Sequence, residues 1–568
     1  KITVIDGAMG TSIQNLNLKP SDFGGEEYDG CNEYLNITNP QYIKSIHESF
    51  INVGANVIET NSFGGTPMVL DEYGLSSQAE EINHLSASIA KSAANQHSNI
   101  LVAGSMGPTT KLLGLPQIKT SDITFDYLME NYRTQARGLI SGGSDLLLVE
   151  TSQDILNVKA AVEGINAAQS DLKNFDIPIA IQCTIENMGT TLAGQDVESF
   201  YLSINHLDLL WVGMNCATGP KFMREHLRTL NQISTHPIAL VPNAGLPDEH
   251  GKYNEDPIEF AKVVREYVSN GWVNIIGGCC GTELAHIKEL SNIANESSEI
   301  FDENKNLQKM KSSHYVTGLE TLYVDQESTP IMVGERTNVL GSRKFKKLIE
   351  NDDFDLASEI GKLQINSGAN ILDVCLQNTE RDEISDIENF LEKLTSKIKA
   401  PIMIDSTDPV VIKSSLKLCP GKIIVNSINL EDGEDKFEEI VPYAKKYGAL
   451  LIVGTIDEDK DQAQAITSQR KLEIAKRSYD LLVDKYKFPS NQIIFDPLTF
   501  PVGTGDVNYL DSAKQTIEGI KLIKEKLPNA KTILGISNVS FGLPSNGREV
   551  LNSVMLNHCL NSGLDYAI

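Results

Sequence analysis

The sequence is poor in positive charge and lacks any long apolar run. Its 49 lysine and arginine residues are outnumbered by 76 aspartate and glutamate residues, which gives a formal net charge of -27. Nucleic acids and anionic membrane surfaces require a basic face, so this balance argues against both as partners. No apolar stretch approaches the roughly 20 residues of a membrane-spanning helix.

Cysteine is also sparse, with eight residues among 568 and no regular spacing. This usage does not suggest a disulfide framework, and we expect reduced thiols in a cytoplasmic protein. A hydrophobic content of 41% and a charged content of 22% are typical of a globular protein. The chain starts inside one predicted strand and stops on another, so we expect the native protein to be longer.

Apolar strand-like runs alternate with amphipathic stretches, a pattern typical of βα units around a parallel sheet. Residues 1–298 contain eight such pairs, which predicts a (βα)8 barrel. A polar, charged stretch at 299–328 interrupts the pattern and is predicted to be a linker. Eight further strands follow at 329–568. The predicted fold class is therefore α/β, with two consecutive TIM-type (βα)8 barrels, the second truncated at its C-terminal end.

Three cysteines, Cys216 and the adjacent pair Cys279 and Cys280, each follow a predicted strand. They should lie at the carboxyl ends of barrel strands, where barrel enzymes place their chemistry. Three thiolates on one rim make a zinc site with one open position, whereas a structural zinc ion has a fourth protein ligand. The open position can hold a substrate thiol as the reactive thiolate. The sequence thus predicts that this chain activates a thiol.

Other interpretations of these cysteines remain open. A lone cysteine is commonly a small buried hydrophobic residue. A disulfide between Cys279 and Cys280 would be strained. A glycine-rich turn before a helix can also bind a phosphate through its backbone amides.

Polar residues occupy most other strand ends of the first half. They are Asp6, Glu59, Thr60, Asn61, Glu150, Thr151, Asn215 and Asn243. Each alone is an ordinary helix cap or turn residue. A ring of carboxylates and amides around three cysteines, however, suits a substrate with an ammonium group and a carboxylate, such as an amino acid. No histidine ligand pattern accompanies them, so we expect a sulfur-only metal site.

Six motifs of the first half resemble the homocysteine S-methyltransferase family. They are DGAMGT, IETNSFGGT, LVETSQD, NCATGP, PNAGLP and GGCCGT. The resemblance implies that Cys216, Cys279 and Cys280 bind zinc, which then takes the sulfur of homocysteine.

The same resemblance implies that Asp6, Glu150 and the backbone of residues 7–11 hold the amino-acid end of homocysteine. We expect Thr60 and Asn215 to line this site as well. Together these residues and the zinc cysteines form the candidate site of the first barrel.

Carboxylates and amides also end the strands of the second half, without cysteine or histidine clusters. They are Glu335, Asp373, Asp405, Asn426, Asp496 and Asn538. A magnesium site would usually need substrate phosphates as well, and no two carboxylates have the spacing of a hydrolase pair. A flat heterocycle with several N–H donors fits better, because carboxylates accept paired hydrogen bonds and amides match a mixed edge.

The motifs GERTN, IDS, IVNSI, FDP and SNVSFGLP resemble the pterin-binding methyltransferase family. This implies that Asp405, Asn426 and Asp496 bind the pterin of a folate. It also implies that Asn538 lies near the nitrogen that carries the methyl group, where it would be the catalytic residue.

By the same resemblance Glu335, Arg336 and Asn338 shape the rim, and we expect Asp373 to bind the folate too. Two segments depart from the family pattern, namely GTIDED, which contains Asp457, and VCLQNTERDE after Asp373.

A homocysteine barrel followed by a pterin barrel resembles the amino-terminal half of cobalamin-dependent methionine synthases. The resemblance implies methyl transfer from 5-methyltetrahydrofolate to cobalamin, and then to zinc-activated homocysteine, in methionine biosynthesis. The DxHxxG motif of a cobalamin module is absent from the sequence. We therefore expect cobalamin to bind outside this chain, on a domain in cis or on a partner protein.

Three alternatives remain open. A thiol methyltransferase that uses a betaine or sulfonium donor would need only the first barrel. A corrinoid-protein methyltransferase of the acetate pathway would explain only the second. A scaffold or metal-storage protein would bind zinc structurally through the three cysteines.

Overall fold

The computed structural model describes residues 2–115, 123–173, 176–297, 310, 313–460, 463–504 and 509–568. The chain divides into two compact units, one made of Lys1–Tyr201 and Asp208–Leu307, the other of Leu202–Leu207 and Gln308–Ile568. Within the described ranges, none of the helices has the length and apolar character needed to cross a bilayer.

The first unit contains eight parallel strands. They are β1 Thr3–Val4, β2 Val57–Glu59, β3 Leu101–Met106, β4 Leu146–Ser152, β5 Ile179–Cys183, β6 Leu209–Asn215, β7 Ile238–Val241 and β8 Ile275–Ile276. The sheet order is β1-β8-β7-β6-β5-β4-β3-β2. A parallel bridge between Ile5 and Val57 joins the first strand to the second and completes the ring. The predicted first barrel is confirmed.

Helices connect these strands, and several of them begin at a residue whose side chain caps the helix. The carboxylate of Asp154 accepts from the Leu156 backbone N–H, and that of Asp256 accepts from Ile258, as favoured N-cap residues do. The α-helices are Met9–Asn15, Leu35–Thr38, Pro40–Val53, Pro67–Leu70, Ala79–Ala94, Phe125–Gly142, Ile155–Asp171, Val197–Ile204, Arg224–Ile233, Pro257–Ser269 and Leu284–Glu296. Short 3-10 turns lie at Pro20–Asp22, Glu26–Tyr28, Asn32–Tyr34, Asp71–Tyr73 and Ser76–Gln78.

Apolar side chains from the strands fill the interior of the first barrel. The buried cluster comprises Ile5, Val57, Ala103, Leu146, Leu148, Ala180, Trp211, Ala239, Val241 and Ile275. Because alternate strand residues face the same side, the residues two positions beyond this layer also face inward. Among these are Ser105, Glu150 and Gln182, so the interior becomes polar toward the carboxyl ends of the strands.

The second unit begins with an antiparallel hairpin, β9 Tyr315–Thr317 and β10 Thr321–Tyr323. A closed parallel barrel follows in sequential order. Its strands are β11 Ile331–Asn338, β12 Ile371–Cys375, β13 Ile402–Asp405, β14 Ile424–Leu430, β15 Leu450–Asp457, β16 Ile493–Asp496, β17 Lys531–Leu534 and β18 Tyr566–Ala567. The predicted second barrel is confirmed as well.

Eight α-helices of the second unit are described. They are Arg343–Glu350, Phe354–Asn366, Glu383–Thr395, Pro409–Leu418, Asp435–Lys446, Ser468–Asp480, Ser512–Lys526 and Ser545–Asn561. The first of these helices ends a turn before the second begins, and both lie between β11 and β12. A π-helical turn at Leu481–Lys485 extends Ser468–Asp480, and 3-10 turns lie at Ser490–Gln492 and Ile536–Ser540.

The β9–β10 hairpin lies inside the stretch 299–328 that the sequence predicts to be a linker. Val316 is 0% exposed and Val324 is 3% exposed, and both belong to the apolar cluster formed by the strands of the second barrel. The polar composition around 299–312 conceals the short alternating run that follows it. Part of the predicted linker, residues 299–309 and 311–312, lies outside the described residues.

A pair of substitutions tests whether this hairpin belongs to the core. Val316→Ala should destabilise the second unit by about 1–3 kcal/mol, because it leaves a cavity in the barrel cluster. Both tryptophans, Trp211 and Trp272, are in the first unit. Tryptophan fluorescence therefore reports only the unfolding of the first unit. Far-ultraviolet circular dichroism reports both units, so a transition seen by circular dichroism and not by fluorescence gives the stability of the second unit.

The control is Glu320→Ala in the same hairpin. Glu320 and its ion-pair partner Lys399 are both exposed, so this change should alter stability by no more than about 0.5 kcal/mol. Equal and negligible effects of the two substitutions would mean that the segment is a solvated linker.

Candidate functional site

Three thiols meet at the carboxyl end of the first barrel. The sulfur atoms of Cys216, Cys279 and Cys280 all lie within 4.8 Å of one another, and Cys216 Sγ is 3.7 Å from Cys280 Sγ. Cys216 directly follows β6, and the pair follows β8. The strand ends thus bring together the three cysteines that the sequence singles out.

The end of β7 holds both cysteine segments in place. The Cys216 N–H donates to the Val241 carbonyl at 3.1 Å, and the Cys279 N–H donates to the Pro242 carbonyl at 2.8 Å. Cys216 itself has a left-handed φ of +61°. The middle strand of the three therefore fixes the separation of the two cysteine loops.

The residue after the cysteine pair has to be glycine. Gly281 has a φ of +78°, and a Cβ there would lie 2.1 Å from the Cβ of Tyr253. Thr282 closes the same turn, since its N–H and hydroxyl both donate to the Cys279 carbonyl at 3.0 and 2.7 Å. The backbone is thus bent sharply enough for adjacent cysteines to face one point.

The three sulfur atoms have the chemistry of a zinc site. Hydrogen bonds from Cys216 and Cys279 lower the pKa of Cys280, whereas the neighbouring sulfur atoms and burial raise the pKa of Cys279. The first proton is therefore lost most easily from Cys280. Zinc binds thiolates in tetrahedral geometry, and three ligands leave one position for a substrate. Elsewhere in the described part of the chain, no other three histidine, cysteine or acidic side chains cluster this closely. The donor set fits zinc.

Three carboxyl groups lie close to one another at the same end of the barrel. The Glu59 N–H donates to both oxygens of Asp6 at 3.3 and 3.2 Å. The Ser105 hydroxyl donates to Glu150 Oε1 at 2.5 Å. Glu59 Oε1 is buried and has no hydrogen-bond partner among the described residues.

These carboxyl groups are hard to ionise in the free protein. Burial raises the pKa of Glu150 to about 7. Burial, together with the charge of Glu150, also holds the pKa of Asp6 and of Glu59 well above their ordinary values. A cation placed among them would favour their ionised forms. The arrangement suits the ammonium group of an amino acid.

Asn215 connects the carboxyl groups to the thiols. Its Nδ2 donates to Thr151 Oγ1 at 2.8 Å and to Glu150 Oε2 at 3.3 Å, and lies 4.0 Å from Cys279 Sγ. Its Oδ1 accepts from the Thr151 N–H at 2.8 Å. The amide therefore fixes the orientation of Glu150 relative to the sulfur cluster.

Two of the polar strand-end residues have internal partners instead. The Thr60 hydroxyl accepts from the Ser105 N–H at 2.9 Å and lies 2.6 Å from Ser62 Oγ. Asn61 donates to the Asn32 carbonyl at 2.7 Å. Thr60 is thus buried and bonded to β3, and its expected contact with homocysteine stays a prediction.

Sequence reasoning did not single out Ser105, Gln182 or Tyr253. Gln182 is fully buried, and neither polar atom of its amide has a partner among the described residues. Burial and the nearby Cys280 sulfur raise the pKa of Tyr253 to about 12. Strand parity would have identified Ser105 and Gln182, but Tyr253 comes from the loop after β7 and carries no such signal.

The second barrel brings its predicted residues to neighbouring strand ends. Asp405 of β13 pairs in register with Asn426 of β14. Asn338 of β11 pairs with Cys375 of β12, the strand that lies between β11 and β13. Asn338 Nδ2 lies 3.3 Å from Asp373 Oδ2 and 3.4 Å from Asp405 Oδ2. Four of the predicted folate-binding residues therefore line one continuous wall.

Burial also makes the carboxyl groups of this wall weak acids. It raises the pKa of Asp405 to about 6, with a further contribution from Glu335. Asp373 is buried, its Oδ1 has no partner among the described residues, and burial and Asp405 hold its pKa well above the ordinary value. The wall thus combines groups that accept hydrogen bonds with groups that keep a proton.

The remaining predicted residues lie on other elements. Asp496 ends β16, where its Oδ1 accepts from the Leu498 N–H at 2.8 Å, and burial raises its pKa to about 6. Asn538 lies in the 3-10 turn Ile536–Ser540 after β17, not on the strand itself, and its side chain is exposed. Glu335 is exposed as well.

The two segments that depart from the family pattern have internal ion pairs. Asp457 is buried and accepts from Arg470 at 2.5 Å. In the segment after Asp373, Arg381 pairs with Asp386 at 2.7 Å. Cys375 is 1% exposed.

Sequence reasoning also missed Lys471, which is fully buried beneath the loop that carries Asp496.

Two family models match the chain in succession. Homocysteine S-methyltransferase matches residues 3–294, and pterin binding enzyme matches residues 334–568. This is the domain order of the amino-terminal half of methionine synthase, as the sequence motifs predict.

Solved structures match each half separately. The metallated form of the Escherichia coli homocysteine methyltransferase MmuM is 19% identical, covers 51% of this chain and 96% of its own, and has a TM-score of 0.41. Yersinia pestis DHPS with a pterine-sulfa conjugate is 16% identical, with 45% and 91% coverage and a TM-score of 0.34. Xanthomonas albilineans dihydropteroate synthase with 7,8-dihydropteroate is 12% identical, with 44% and 88% coverage and a TM-score of 0.32.

The buried carboxyl groups lead to a prediction about pH and stability. Because the pKa of Glu150 is about 7 when folded and 4.5 ordinarily, its folded form keeps a proton that the unfolded chain loses. The contribution of Glu150 to wild-type stability should therefore fall as pH rises from 4.5 to 7. Glu150→Gln lacks this titration. The free energy of unfolding of the variant minus that of wild type should therefore rise by roughly 1–3 kcal/mol between pH 4.5 and pH 8.

Urea unfolding of metal-free protein, followed by tryptophan fluorescence, measures this because both tryptophans are in the first unit. The control is Glu225→Gln, which changes an exposed glutamate of the same barrel. A pH dependence of Glu150→Gln that equals that of the control would show that Glu150 is ionised without cost.

Proposed function

The chain belongs to the homocysteine S-methyltransferase family, and we propose that it transfers the methyl group of 5-methyltetrahydrofolate to homocysteine with cobalamin as carrier. The products are methionine and tetrahydrofolate. One observation carries this proposal: three thiols converge beside buried carboxyl groups at one barrel rim, in the same chain as a pterin-binding barrel. We also propose a cytoplasmic location, in keeping with its eight free cysteines.

In the first barrel, Cys216, Cys279 and Cys280 would hold zinc. When bound, zinc keeps the homocysteine thiol ionised at neutral pH while leaving its sulfur nucleophilic. Asp6 and Glu150 bind the ammonium group of the substrate. Their raised pKa values support this role, because a bound cation relieves the cost of burying their charge.

Binding of homocysteine in this way fixes the direction of its sulfur. Asn215 orients the Glu150 carboxylate through its hydrogen bond, and the same amide lies beside Cys279. The ammonium end is thereby held at a set distance from the sulfur cluster. Such positioning lowers the entropic cost of the methyl transfer.

In the second barrel, Asp405, Asn426 and Asp496 bind the edge of the pterin, and Asn338 and Asp373 complete the wall. Carboxylates accept the N–H donors of the aminopyrimidine ring, while the amides match its mixed edge. Asn538 accepts a hydrogen bond from the protonated methyl-bearing nitrogen, and Glu335 lines the same rim. The hydrogen bonds from Asn338 to Asp373 and Asp405 support this shared role.

Cobalamin binds to a module outside this chain, either in cis or on a partner protein. Bound there, cobalamin would supply the chemistry of a methyl carrier between the folate and the homocysteine sulfur. The two barrels therefore supply substrates, and each should keep its own ligand when the other is disabled.

Two single substitutions test this division. Cys279→Ser should abolish zinc binding and the methylation of homocysteine by added methylcobalamin, yet leave the affinity for methyltetrahydrofolate unchanged. Asp496→Asn should leave zinc binding and the methylation of homocysteine by methylcobalamin unchanged. It should weaken folate binding about tenfold or more, because a charge-assisted hydrogen bond is lost. Asparagine keeps an Oδ1 that can accept from Leu498, so the local turn should survive.

Zinc content, folate titration and each methyl-transfer half-reaction are measured on both variants. Loss of folate binding in Cys279→Ser would contradict independent sites. Failure of the unmodified protein to methylate homocysteine from methylcobalamin would overturn the proposed function.

A further inference from the structure

A buried lysine supports the loop that carries Asp496. Lys471 lies on the helix Ser468–Asp480 and is 0% exposed. Its Nζ donates to three backbone carbonyls, those of Ala465 at 2.7 Å, Pro497 at 2.5 Å and Leu498 at 3.1 Å. These contacts use all three N–H groups of the ammonium.

The chain around Lys471 is shaped to receive it. Gly519 lies on the neighbouring helix Ser512–Lys526, and a Cβ there would be 2.8 Å from Lys471 Cδ. Thr516 on the same helix donates to the Leu498 carbonyl at 2.8 Å. The lysine stem and a threonine hydroxyl therefore converge on the turn that follows Asp496.

That turn determines where the Asp496 carboxylate points. Leu498 has a left-handed φ of +56° and donates its N–H to Asp496 Oδ1. The lysine binds the carbonyls of Pro497 and Leu498, so moving its ammonium would free two of the three residues of this hydrogen-bonded turn.

Burying an ammonium group carries a desolvation cost, which its three hydrogen bonds and a nearby carboxylate offset. Burial indeed lowers the pKa of Lys471 to about 8, and Asp496 is the charged group that opposes this. Conversely, Lys471 is the positive charge that counteracts the effect of burial on Asp496. The neighbouring helix contributes uncharged groups at this point, Thr516 and Gly519.

We propose that Lys471 is a positioning residue for pterin binding, which fixes the Pro497–Leu498 turn and supplies the buried positive charge behind the Asp496 carboxylate. The inference rests on the proposed folate site of the second barrel and adds a residue that makes no contact with the ligand. Arranging such a supporting residue is a general way to hold a binding group in its working orientation.

Folate titration across pH 5 to 8.5 tests this inference in the full chain, with tetrahydrofolate as the probe. Lys471→Met should weaken binding about tenfold or more at neutral pH, because the turn is released. Binding by wild type should weaken as pH falls through about 6, where Asp496 and Asp405 both take up a proton. In the variant this loss should begin at higher pH, since the positive charge that favours ionised Asp496 is gone.

Three further variants separate the possible causes. Lys476→Met changes an exposed lysine of the same helix and should bind like wild type. Thr516→Val removes a neutral hydrogen bond to the same carbonyl, so it should weaken binding roughly threefold without moving the pH midpoint. Gly519→Ala should fold well, because alanine favours helix. It should nevertheless weaken binding, because the added methyl group displaces the lysine stem. This variant tests the proposal even if Lys471→Met does not fold.

The outcomes are distinct. Wild-type affinity and an unshifted pH midpoint in folded Lys471→Met, or unchanged affinity in Gly519→Ala, would overturn the role of Lys471 while leaving the folate site intact. Failure of the wild-type chain itself to bind tetrahydrofolate would overturn the proposed folate site, and the role of Lys471 with it.

Discussion

The convergence of three sulfur atoms depends on one strand. The end of β7 accepts the backbone N–H of Cys216 through Val241 and that of Cys279 through Pro242. Any change in the register of β6, β7 or β8 would move one sulfur relative to the others. A barrel suits this task because each strand is hydrogen-bonded on both sides, so the rim residues inherit the rigidity of the closed sheet.

The buried acidic groups at both rims lower the stability of the free protein, and this cost is reduced when a ligand satisfies them. Asp6, Glu59 and Glu150 in the first barrel and Asp373 and Asp405 in the second all have pKa values raised by burial. A group held in an unfavourable state in the free protein gains most from a ligand that satisfies it. Under the proposed function, the ligand group is a cationic amino group at the first rim and the N–H edge of a ring at the second.

The repeating βα pattern was enough to predict both barrels and to place the cysteines, because buried parallel strands are continuous apolar runs with polar ends. The βα pattern could not predict features that depend on contacts between residues far apart in the sequence. Lys471 lies in a helix where its sequence position suggests an exposed residue, and its acceptors Pro497 and Leu498 come 26 and 27 residues later. Asn538 was expected at a strand end, but β17 stops at Leu534 and a 3-10 turn carries the asparagine instead. The β9–β10 hairpin was hidden by its polar neighbours.

Activation of the homocysteine thiol requires the three sulfur atoms to form an open zinc site. Zinc-edge X-ray absorption of the zinc-loaded protein, with and without homocysteine, tests this directly. We predict three protein sulfur ligands in the free form and four sulfur ligands once homocysteine is added, with one zinc per chain. A shell that does not change on adding homocysteine, or a chain that takes up no zinc, would contradict thiol activation at Cys216, Cys279 and Cys280.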